Sequence, residues 1–278
     1  MPPLAVDTSL AAQSTTRFLA AQRKNLADSV ARLSSGVRLR SAKDGPAALA
    51  VAQGFEFELR SLSQAERNLS DGASLIQTAD GALEQVSDIL GRMRELAVGA
   101  ASGTLDDSAR GAIQEEFSQL SQELTRISDA TEFAGVNPLG ADAGSFVLQV
   151  GAGSTTADQL LLSFSGSDAA ALGVDDTGAG VATASSAQAA IATIDAAVAS
   201  VSTRRASLGA SLARLSMTAE NLGTARENLA ASASRVRDTD FAAESSELLR
   251  ARIQSKFTVA LQAQARRIPS SALTLIGG

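Results

Sequence analysis

The sequence predicts a mainly α protein: a long antiparallel, coiled-coil-like helical bundle that forms a rod, with one small β-hairpin region and terminal helices that pair into an inner coiled coil. Three observations predict this fold. Apolar residues recur every seven positions in two long segments, those segments lie at mirrored places in the chain, and both chain ends carry further amphipathic stretches. A heptad repeat of apolar residues is typical of helices that pack along a shared seam.

The first long segment, residues 44–100, has seven apolar positions seven residues apart. A second stripe, three residues further on, is apolar or small. At 1.5 Å per residue, this segment would be a helix about 85 Å long. The heptad series comprises Phe55, Leu62, Leu69, Ile76, Leu83, Leu90 and Ala97, and the second stripe comprises Ala65, Gly72, Ala79, Val86 and Met93.

The second long segment, residues 186–235, repeats this pattern. Its companion stripe is broken at Arg205 and Arg226. Because both segments present a continuous apolar seam, we expect them to pack together as the core of the rod. The second series comprises Ile194, Val201, Leu208, Leu215, Leu222, Leu229 and Val236.

A third and shorter seam predicts a helix over residues 105–129. It follows a break at residues 102–104, and Asp106 and Asp107 give it the acidic start that suits a helix N-terminus. The spacing of its apolar residues alternates between four and three. These residues are Ile113, Phe117, Leu120, Leu124 and Ile127.

The middle of the chain differs from the heptad segments. Two β-like runs, residues 146–150 and 160–164, flank a turn-rich stretch, which predicts a β-hairpin. Residues 166–184 are rich in Gly, Ala and Asp, and we expect a loop or partly ordered return there. The predicted domains are an inner terminal-helix domain of residues 1–42 and 238–278, a helical rod of residues 43–139 and 185–237, and the hairpin with its loop at residues 140–184.

The two chain ends are helical in pattern, but each has too few apolar residues to bury its own apolar face. We therefore expect these ends to pair with each other and with other copies, because an exposed apolar helix face is an association surface. The residues assigned to this assembly surface are Leu19, Leu26, Leu33, Leu249, Ile253, Phe257, Leu261 and Ile268.

The composition argues against several classes of function. The chain has no Cys and no His, which removes thiolate nucleophiles, disulfides, the commonest general base and the usual zinc ligands. We therefore predict no enzyme, cofactor or metal site, and read the paired carboxylates Asp106-Asp107 and Glu115-Glu116 as solvated helix positions. The net charge of −6, with basic residues interleaved among acidic ones, predicts no nucleic-acid partner.

Targeting signals give two further expectations. No purely apolar run approaches the roughly 20 residues that a spanning helix needs, so we predict no membrane partner. Residues 1–20 lack the basic start and apolar stretch of a secretory signal. If the protein is exported, we expect a route that does not read such a signal.

Five motifs, in order along almost the whole chain, resemble those of bacterial flagellins. At residues 45–46, Gly-Pro stands where the family more often has Asp-Ala, at a helix start that tolerates Pro. The motifs are residues 32–44 (RLSSGVRLRSAKD), 68–80 (NLSDGASLIQTAD), 92–98 (RMRELAV), 131–137 (TEFAGVN) and 234–242 (SRVRDTDFA).

The resemblance implies a structural subunit that polymerises through its terminal helices into the extracellular flagellar filament used for swimming. It implies subunits exported unfolded through the flagellar type III apparatus, and a short form in which the variable outer domains are absent. The implied partners are further copies of the chain, the flagellar cap and hook–filament junction proteins, and an export chaperone that binds residues 238–278 of the monomer. In some family members Ser or Thr residues carry O-linked sugars, for which Ser154, Thr155 and Thr156 are candidates beside an ordinary turn.

In many flagellins the residues that match Arg92, Leu96 and Glu116 contribute to recognition by Toll-like receptor 5. Arg92 and Leu96 are four residues apart and therefore share one helix face. Glu116 falls on the neighbouring antiparallel helix. The alternative is that this face makes contacts between copies, with receptor binding restricted to monomers.

Two alternatives stay open on sequence grounds, and the composition argues against a third. A hook–filament junction protein shares the terminal helices, although the motifs at residues 92–98 and 234–242 favour flagellin. A coiled-coil scaffold predicts a small assembly of fixed size and no filament. A flagellin with an inserted peptidase would need a His-containing zinc motif, and this chain has no His.

Overall fold

The computed structural model describes the backbone of residues 4–276 and the side chains of residues 13–264, in both cases without Asp142. Within these residues it contains five α-helices and one two-stranded sheet, which confirms the predicted fold class. The helices are α1 (Leu4–Ser35), α2 (Pro46–Ala100), α3 (Asp107–Ala130), α4 (Ala184–Arg237) and α5 (Phe241–Ile276). The strands are β1 (Ser145–Gln149) and β2 (Gln159–Ser163).

The contacts divide the chain into two compact units. The terminal unit combines residues 1–57 with residues 229–278, and the central unit comprises residues 58–228. These limits fall within α2 and α4, whereas the sequence places its domain limits near the helix connections at residues 42 and 238. A boundary between compact units of the single chain does not test a boundary between layers of a filament. The predicted domains therefore stay a prediction.

In the central unit, ion pairs join α2 to α4 and show that the two helices are antiparallel. Arg94 Nε lies 2.7 Å from Asp195 Oδ1, and Arg205 Nε lies 2.8 Å from Asp80 Oδ1. Arg226 pairs with Glu66 further along. The residue numbers fall on α2 as they rise on α4, as antiparallel packing requires. We name these three pairs the α2–α4 ladder.

The core of the central unit lies along the heptad seams of α2 and α4. From α2, Ile76, Leu83 and Leu90 are at most 1% exposed, and Phe117 and Leu124 of α3 are fully buried against the same core. The structure thus gathers the three seams seen in the sequence into one apolar cluster. Its other fully buried large side chains are Met93, Leu139, Leu162, Ile194, Val86, Val174 and Val181.

The hairpin of β1 and β2 packs one of its faces on the central core. The strands pair antiparallel, with Val147 opposite Leu161, and they begin one residue earlier than predicted. Leu160 and Leu162 are buried, whereas Val147 and Leu161 are exposed. This alternation is that of a strand with one buried face.

The segment between β2 and α4 is more ordered than the expected loop. It has no long helix or strand, but Leu172, Val174 and Val181 are buried in the central core. The Arg204 guanidinium donates to Ser167 Oγ at 2.8 Å and to the carbonyl of Gly166. The few apolar residues among the glycines therefore hold this segment against the core. The overall composition, which is rich in Gly, Ala and Asp, does not show this.

Among the described residues, one helix is long and apolar enough to match a membrane span. It is α4, which contains an 18-residue window with a mean hydropathy of 1.2. Its apolar side chains Ile194, Val201 and Leu208 are buried in the central core, and Arg205 of the same helix belongs to the α2–α4 ladder. Packing in the central core accounts for part of the apolar composition of α4, since 28% of that window is buried.

Candidate assembly and recognition surfaces

Helices α1 and α5 form an antiparallel pair in the terminal unit. Gln22 Nε2 donates a hydrogen bond to Gln254 Oε1 at 3.2 Å, and Arg32 lies 3.4 Å from Glu244. The buried side chains on the described parts of these two helices are mostly small or polar: Leu19, Ser29, Ala251 and Thr258. Small side chains let the helices approach closely but bury little apolar area.

Most of the large apolar side chains of α5 do not take part in this burial. Four of them, spaced four residues apart, leave between 48% and 68% of their surface exposed. A soluble protein rarely leaves a continuous apolar face open unless something binds it. We call these residues the α5 stripe, and it comprises Leu249, Ile253, Phe257 and Leu261.

The structure separates the predicted assembly residues into two sets. On α1, Leu19 is buried and Leu26 and Leu33 are half-buried. On α5, the α5 stripe is open. Ile268 lies outside the residues whose side chains the structure describes. The sequence pattern, which assigned these residues to one surface, could not show which of the two helices keeps its apolar face free.

The residues predicted for the rod core follow the seam closely in the central unit. Leu62, Leu69, Ile76, Leu83 and Leu90 of α2 are buried, as are Leu208 and Leu215 of α4. Leu222 and Leu229, further along α4, are half-buried. Burial along the seam therefore weakens towards the C-terminal part of α4.

The candidate receptor residues do not form one exposed surface. Arg92 Nη2 lies 2.8 Å from Glu116 Oε1, and Arg92 also pairs with Glu95 at 3.0 Å. Hydrogen bonds from Arg92 to these two carboxylates raise its pKa. Leu96, in contrast, is only 8% exposed and belongs to the central core. A partner could reach Arg92 and Glu116 but would meet little of Leu96.

The two interruptions of the α4 heptad stripe have a structural role that the sequence analysis missed. Arg205 pairs with Asp80 and lies 3.8 Å from Glu84, and Arg226 pairs with Glu66. The hydrogen bond with Asp80 raises the pKa of Arg205. A search for acidic residues on α2 at matching antiparallel positions would have found these pairs.

Two further positions were not singled out from the sequence. Gly72, in the second stripe of α2, receives the Leu148 side chain of β1, because a Cβ at Gly72 would lie 2.6 Å from Leu148 Cδ2. Arg110 is buried at the start of α3 and donates to the carbonyls of Ala100 and Ser102 at 3.1 and 2.8 Å. It satisfies carbonyls that the C-terminus of α2 leaves without helical partners.

Comparison with known proteins identifies the family. The description "Bacterial flagellin N-terminal helical region" matches residues 6–142, and "Bacterial flagellin C-terminal helical region" matches residues 191–276. Flagellin B of Vibrio cholerae is 39% identical over 168 residues, which cover 60% of this chain and 45% of that protein. The B-type flagellin of Pseudomonas aeruginosa is 40% identical over 170 residues, or 61% of this chain and 34% of that protein.

Solved structures agree with the sequence comparisons. A crystal structure of Bacillus cereus flagellin is similar with a TM-score of 0.50 and 30% identity, over 56% of this chain and 88% of that chain. A putative flagellar hook-associated protein from Vibrio parahaemolyticus has a TM-score of 0.58 at 16% identity, over 70% and 100% of the two chains, which shows a shared fold alone. The aligned part of this chain spans less than half the length of the Vibrio and Pseudomonas relatives. Together the two matched regions cover most of the sequence, and the chain belongs to the bacterial flagellin family.

Proposed function

We propose that this chain is a structural subunit that polymerises into the extracellular flagellar filament and serves swimming motility. The observation that carries the proposal is the open α5 stripe. Its four large apolar side chains are solvated in the single chain, so covering them with another copy would be favourable, at about 25 cal/mol per Å² of apolar surface buried. Contacts that join different patches of identical copies without closing a ring produce an open helical polymer.

The comparisons favour a filament subunit over a junction protein. The relatives that are 39–40% identical are flagellins, whereas the hook-associated structure shares 16% identity and therefore only the fold. The flagellin family is a family of structural proteins, and we propose a structural role without catalysis for this chain.

The proposal is tested by placing a charge in the α5 stripe. Phe257 and Met217 are both 65% exposed, and they lie in the terminal and central units respectively. We expect Phe257→Asp to prevent seeded polymerisation, because each contact would have to bury a carboxylate. Met217→Asp adds the same charge in the central unit and should still give filaments. The assay is negative-stain microscopy with sedimentation of the polymer.

Two results would contradict the proposal. One is filament formation by Phe257→Asp at the parent's critical concentration. The other is the formation of small particles of fixed size by the parent chain under seeding conditions, which would favour the coiled-coil scaffold. Loss of polymer in both variants would also contradict the assignment to the α5 stripe.

The finer partners belong to the same proposal. We propose contacts with the flagellar cap and hook–filament junction proteins, export through the type III apparatus, and capture of residues 238–278 by an export chaperone before assembly. Support comes from the open α5 stripe, which is an apolar surface that a chaperone would need to cover in the monomer. Binding of the chaperone should therefore weaken when Ile253 and Phe257 are replaced by Ser.

Recognition of the monomer by Toll-like receptor 5 is proposed through Arg92 and Glu116, with Leu96 supporting them from the core. A receptor reporter assay on purified monomer provides the test. Arg92→Ala should lower the response, and Arg94→Ala, which removes a neighbouring arginine that pairs with Asp195, should leave it unchanged. A flat response to the parent monomer at saturating protein would contradict the proposal.

A further inference from the structure

A short clasp joins the connection that follows α1 to the connection that precedes α5. Arg38 N donates to the Arg237 carbonyl at 2.8 Å, and Thr239 N donates to the Gly36 carbonyl at 2.9 Å. Between these bonds, Val37 and Asp238 form an isolated antiparallel bridge. The clasp thus consists of residues 36–38 and 237–239, and it lies within the terminal unit.

The side chain of Arg38 strengthens the clasp. Its Nη2 donates to the carbonyl of Val236 at 2.6 Å, near the C-terminus of α4. A cation at a helix C-terminus interacts favourably with the helix dipole and with carbonyls that lack helical partners. Arg38 therefore contributes a backbone donor and a side-chain donor to the same few residues.

The register of the clasp continues into the α1–α5 pair. In an antiparallel pair, the residue numbers of facing partners add to a nearly constant value. That value is 275 for the clasp pairs Gly36 with Thr239 and Arg38 with Arg237. It is 276 for Gln22 with Gln254 and for Arg32 with Glu244. For Thr16 with Gln262 it is 278.

The apolar seam of the helix pair specifies this register weakly. Leu19, Leu26 and Leu33 recur every seven residues, so a slip of seven positions would superimpose one leucine on the next. Ala251 and Thr258, buried on α5, are also seven residues apart. A repeating seam needs a feature that does not repeat to select one register.

We infer that the clasp sets the register of the terminal helix pair, and that Arg38 is a positioning residue for assembly. A slip of seven residues would move the α5 stripe about 10.5 Å along α1. Copies with different registers would present stripes that do not match. The inference about register concerns the single chain, and only its consequence for assembly rests on the proposed function.

The experiment uses the absence of Cys in the full chain. Gln22→Cys combined with Gln254→Cys reports the observed register. Gln22→Cys combined with Glu247→Cys or with Leu261→Cys reports a slip of seven residues in either direction. Disulfide yields under mild oxidation are compared in the parent, Arg38→Ala, Arg38→Pro and Arg40→Ala backgrounds. Arg40 is a matched control, because it lies two residues away and pairs with Asp28 of α1 at 3.8 Å.

In the parent, the yield of the 22–254 disulfide should exceed that of either slipped pair. Arg38→Ala should lower this ratio by about two- to tenfold, the effect expected from losing one ordinary hydrogen bond at the surface. Arg38→Pro also removes the backbone donor and should lower the ratio further. Arg40→Ala should leave it unchanged. Circular dichroism of each variant separates a register slip from general loss of helix.

A ratio in Arg38→Pro within twofold of the parent, with the helix content retained, would overturn the inference. An equal fall in Arg40→Ala would also overturn it, since the effect would not be specific to the clasp. Polymerisation is measured separately on the same backgrounds without cysteines. If the parent does not polymerise, the proposed function fails while the cross-linking result still decides whether the clasp sets the register.

Discussion

The terminal and central units differ in how they use apolar residues. Most of the buried residues belong to the central unit, whose core gathers side chains from α2, α3, α4 and the hairpin. Of the fourteen exposed large apolar residues among those described, ten lie in the terminal unit. The central unit therefore has the core of a domain that is stable in the single chain, whereas the terminal unit leaves open an apolar surface that a domain would normally bury.

The two units also differ in charge. The terminal unit has fourteen Lys and Arg against eight Asp and Glu, a net charge of +6, and the central unit has ten against twenty-two, a net charge of −12. The overall charge of −6 conceals this asymmetry. Where like units of neighbouring copies meet, their repulsion would oppose apolar association, and salt would screen it.

The largest expected effect on the free energy of unfolding comes from comparing the same type of substitution, Leu to Ala, in the two units. Leu90 of the central core is fully buried, and Leu249 of the α5 stripe is 58% exposed. Leu90→Ala should lower the free energy of unfolding by about 2–5 kcal/mol through lost burial and a residual cavity. Leu249→Ala should change it by less than about 0.5 kcal/mol but raise the critical concentration for polymerisation. Urea unfolding followed by circular dichroism, and sedimentation of polymer, measure the two effects.

Similar losses of unfolding free energy in the two leucine variants would contradict the contrast between a core and an open stripe. So would an unchanged critical concentration in Leu249→Ala.

The second prediction compares two arginines of α3. Arg110 is buried and donates to the carbonyls of Ala100 and Ser102, while Arg126 is exposed and pairs with Glu123 three residues earlier. Arg110→Ala should cost about 2–3 kcal/mol, because buried carbonyls lose charged donors. Arg126→Ala should cost about 0.5 kcal/mol or less, as surface ion pairs do. Thermal unfolding of both variants measures the difference. Equal shifts in melting temperature would show that the hydrogen bonds of Arg110 to the two carbonyls do not stabilise the protein more than a surface ion pair does.

The third prediction compares two glycines of α2. A Cβ at Gly81 would meet nothing within 4 Å, whereas a Cβ at Gly72 would lie 2.6 Å from Leu148 Cδ2. Gly81→Ala should stabilise the central unit by about 0.5–1 kcal/mol through helix propensity. At Gly72 the same gain is opposed by displacement of Leu148, so Gly72→Ala should be less stable than Gly81→Ala.

Leu148→Ala removes the obstruction at Gly72 and provides the control. In that background Gly72→Ala should approach the effect of Gly81→Ala. If the two glycine variants changed the stability of the parent equally, the absence of a side chain at Gly72 would not be needed for packing of Leu148.

The heptad seams were predictable from the sequence, because a helix with one buried face needs apolar residues at regular intervals. That interval can be read directly from the residue types along the chain. The family motifs added the order of the segments. The α2–α4 ladder was harder to predict, because Arg205 and Arg226 interrupt the apolar stripe and their partners lie more than a hundred residues away. The contact of Leu148 with Gly72 joins a strand to a helix that is distant in sequence. The spacing of residues along one helix gives no information about such a contact.

The terminal surface shows a different limit. The leucines of α1 recur every seven residues and the apolar residues of α5 every four, and since each spacing marks one helix face, we predicted the same role for both sets. Which face stays open depends on the register of the pair and on the small residues Ser29, Ala251 and Thr258 that allow close approach. Leu96 illustrates the same limit in the central unit, because a shared helix face with Arg92 does not determine exposure.

The smallest expected effect is on the pH dependence of stability. It should differ between a carboxylate that bonds to neighbouring residues in the chain and a carboxylate that bonds to a residue of another helix. In the terminal unit, Asp44 accepts hydrogen bonds from the Ser41 side chain and from the backbone of Ser41 and Arg40, which lower its pKa. In the central unit, a hydrogen bond from Arg94 lowers the pKa of Asp195. Local bonds fix one turn of chain, whereas the bond to Asp195 joins α2 to α4.

A carboxylate with a lowered folded pKa stabilises the protein above its ordinary pKa of about 4, and this contribution is lost as the pH falls through the folded pKa. We therefore expect Asp195→Asn to have a lower melting temperature than the parent at about pH 7, with the difference closing below about pH 4. Arg94→Ala should behave in the same way, because it removes the other partner of the pair. Asp44→Asn should change amide exchange around residues 40–44 over the same pH range without this effect on the melting of the central unit. A difference between parent and Asp195→Asn that is the same at every pH would show that charge does not stabilise the contact between Arg94 and Asp195, and this contact would then depend on packing alone.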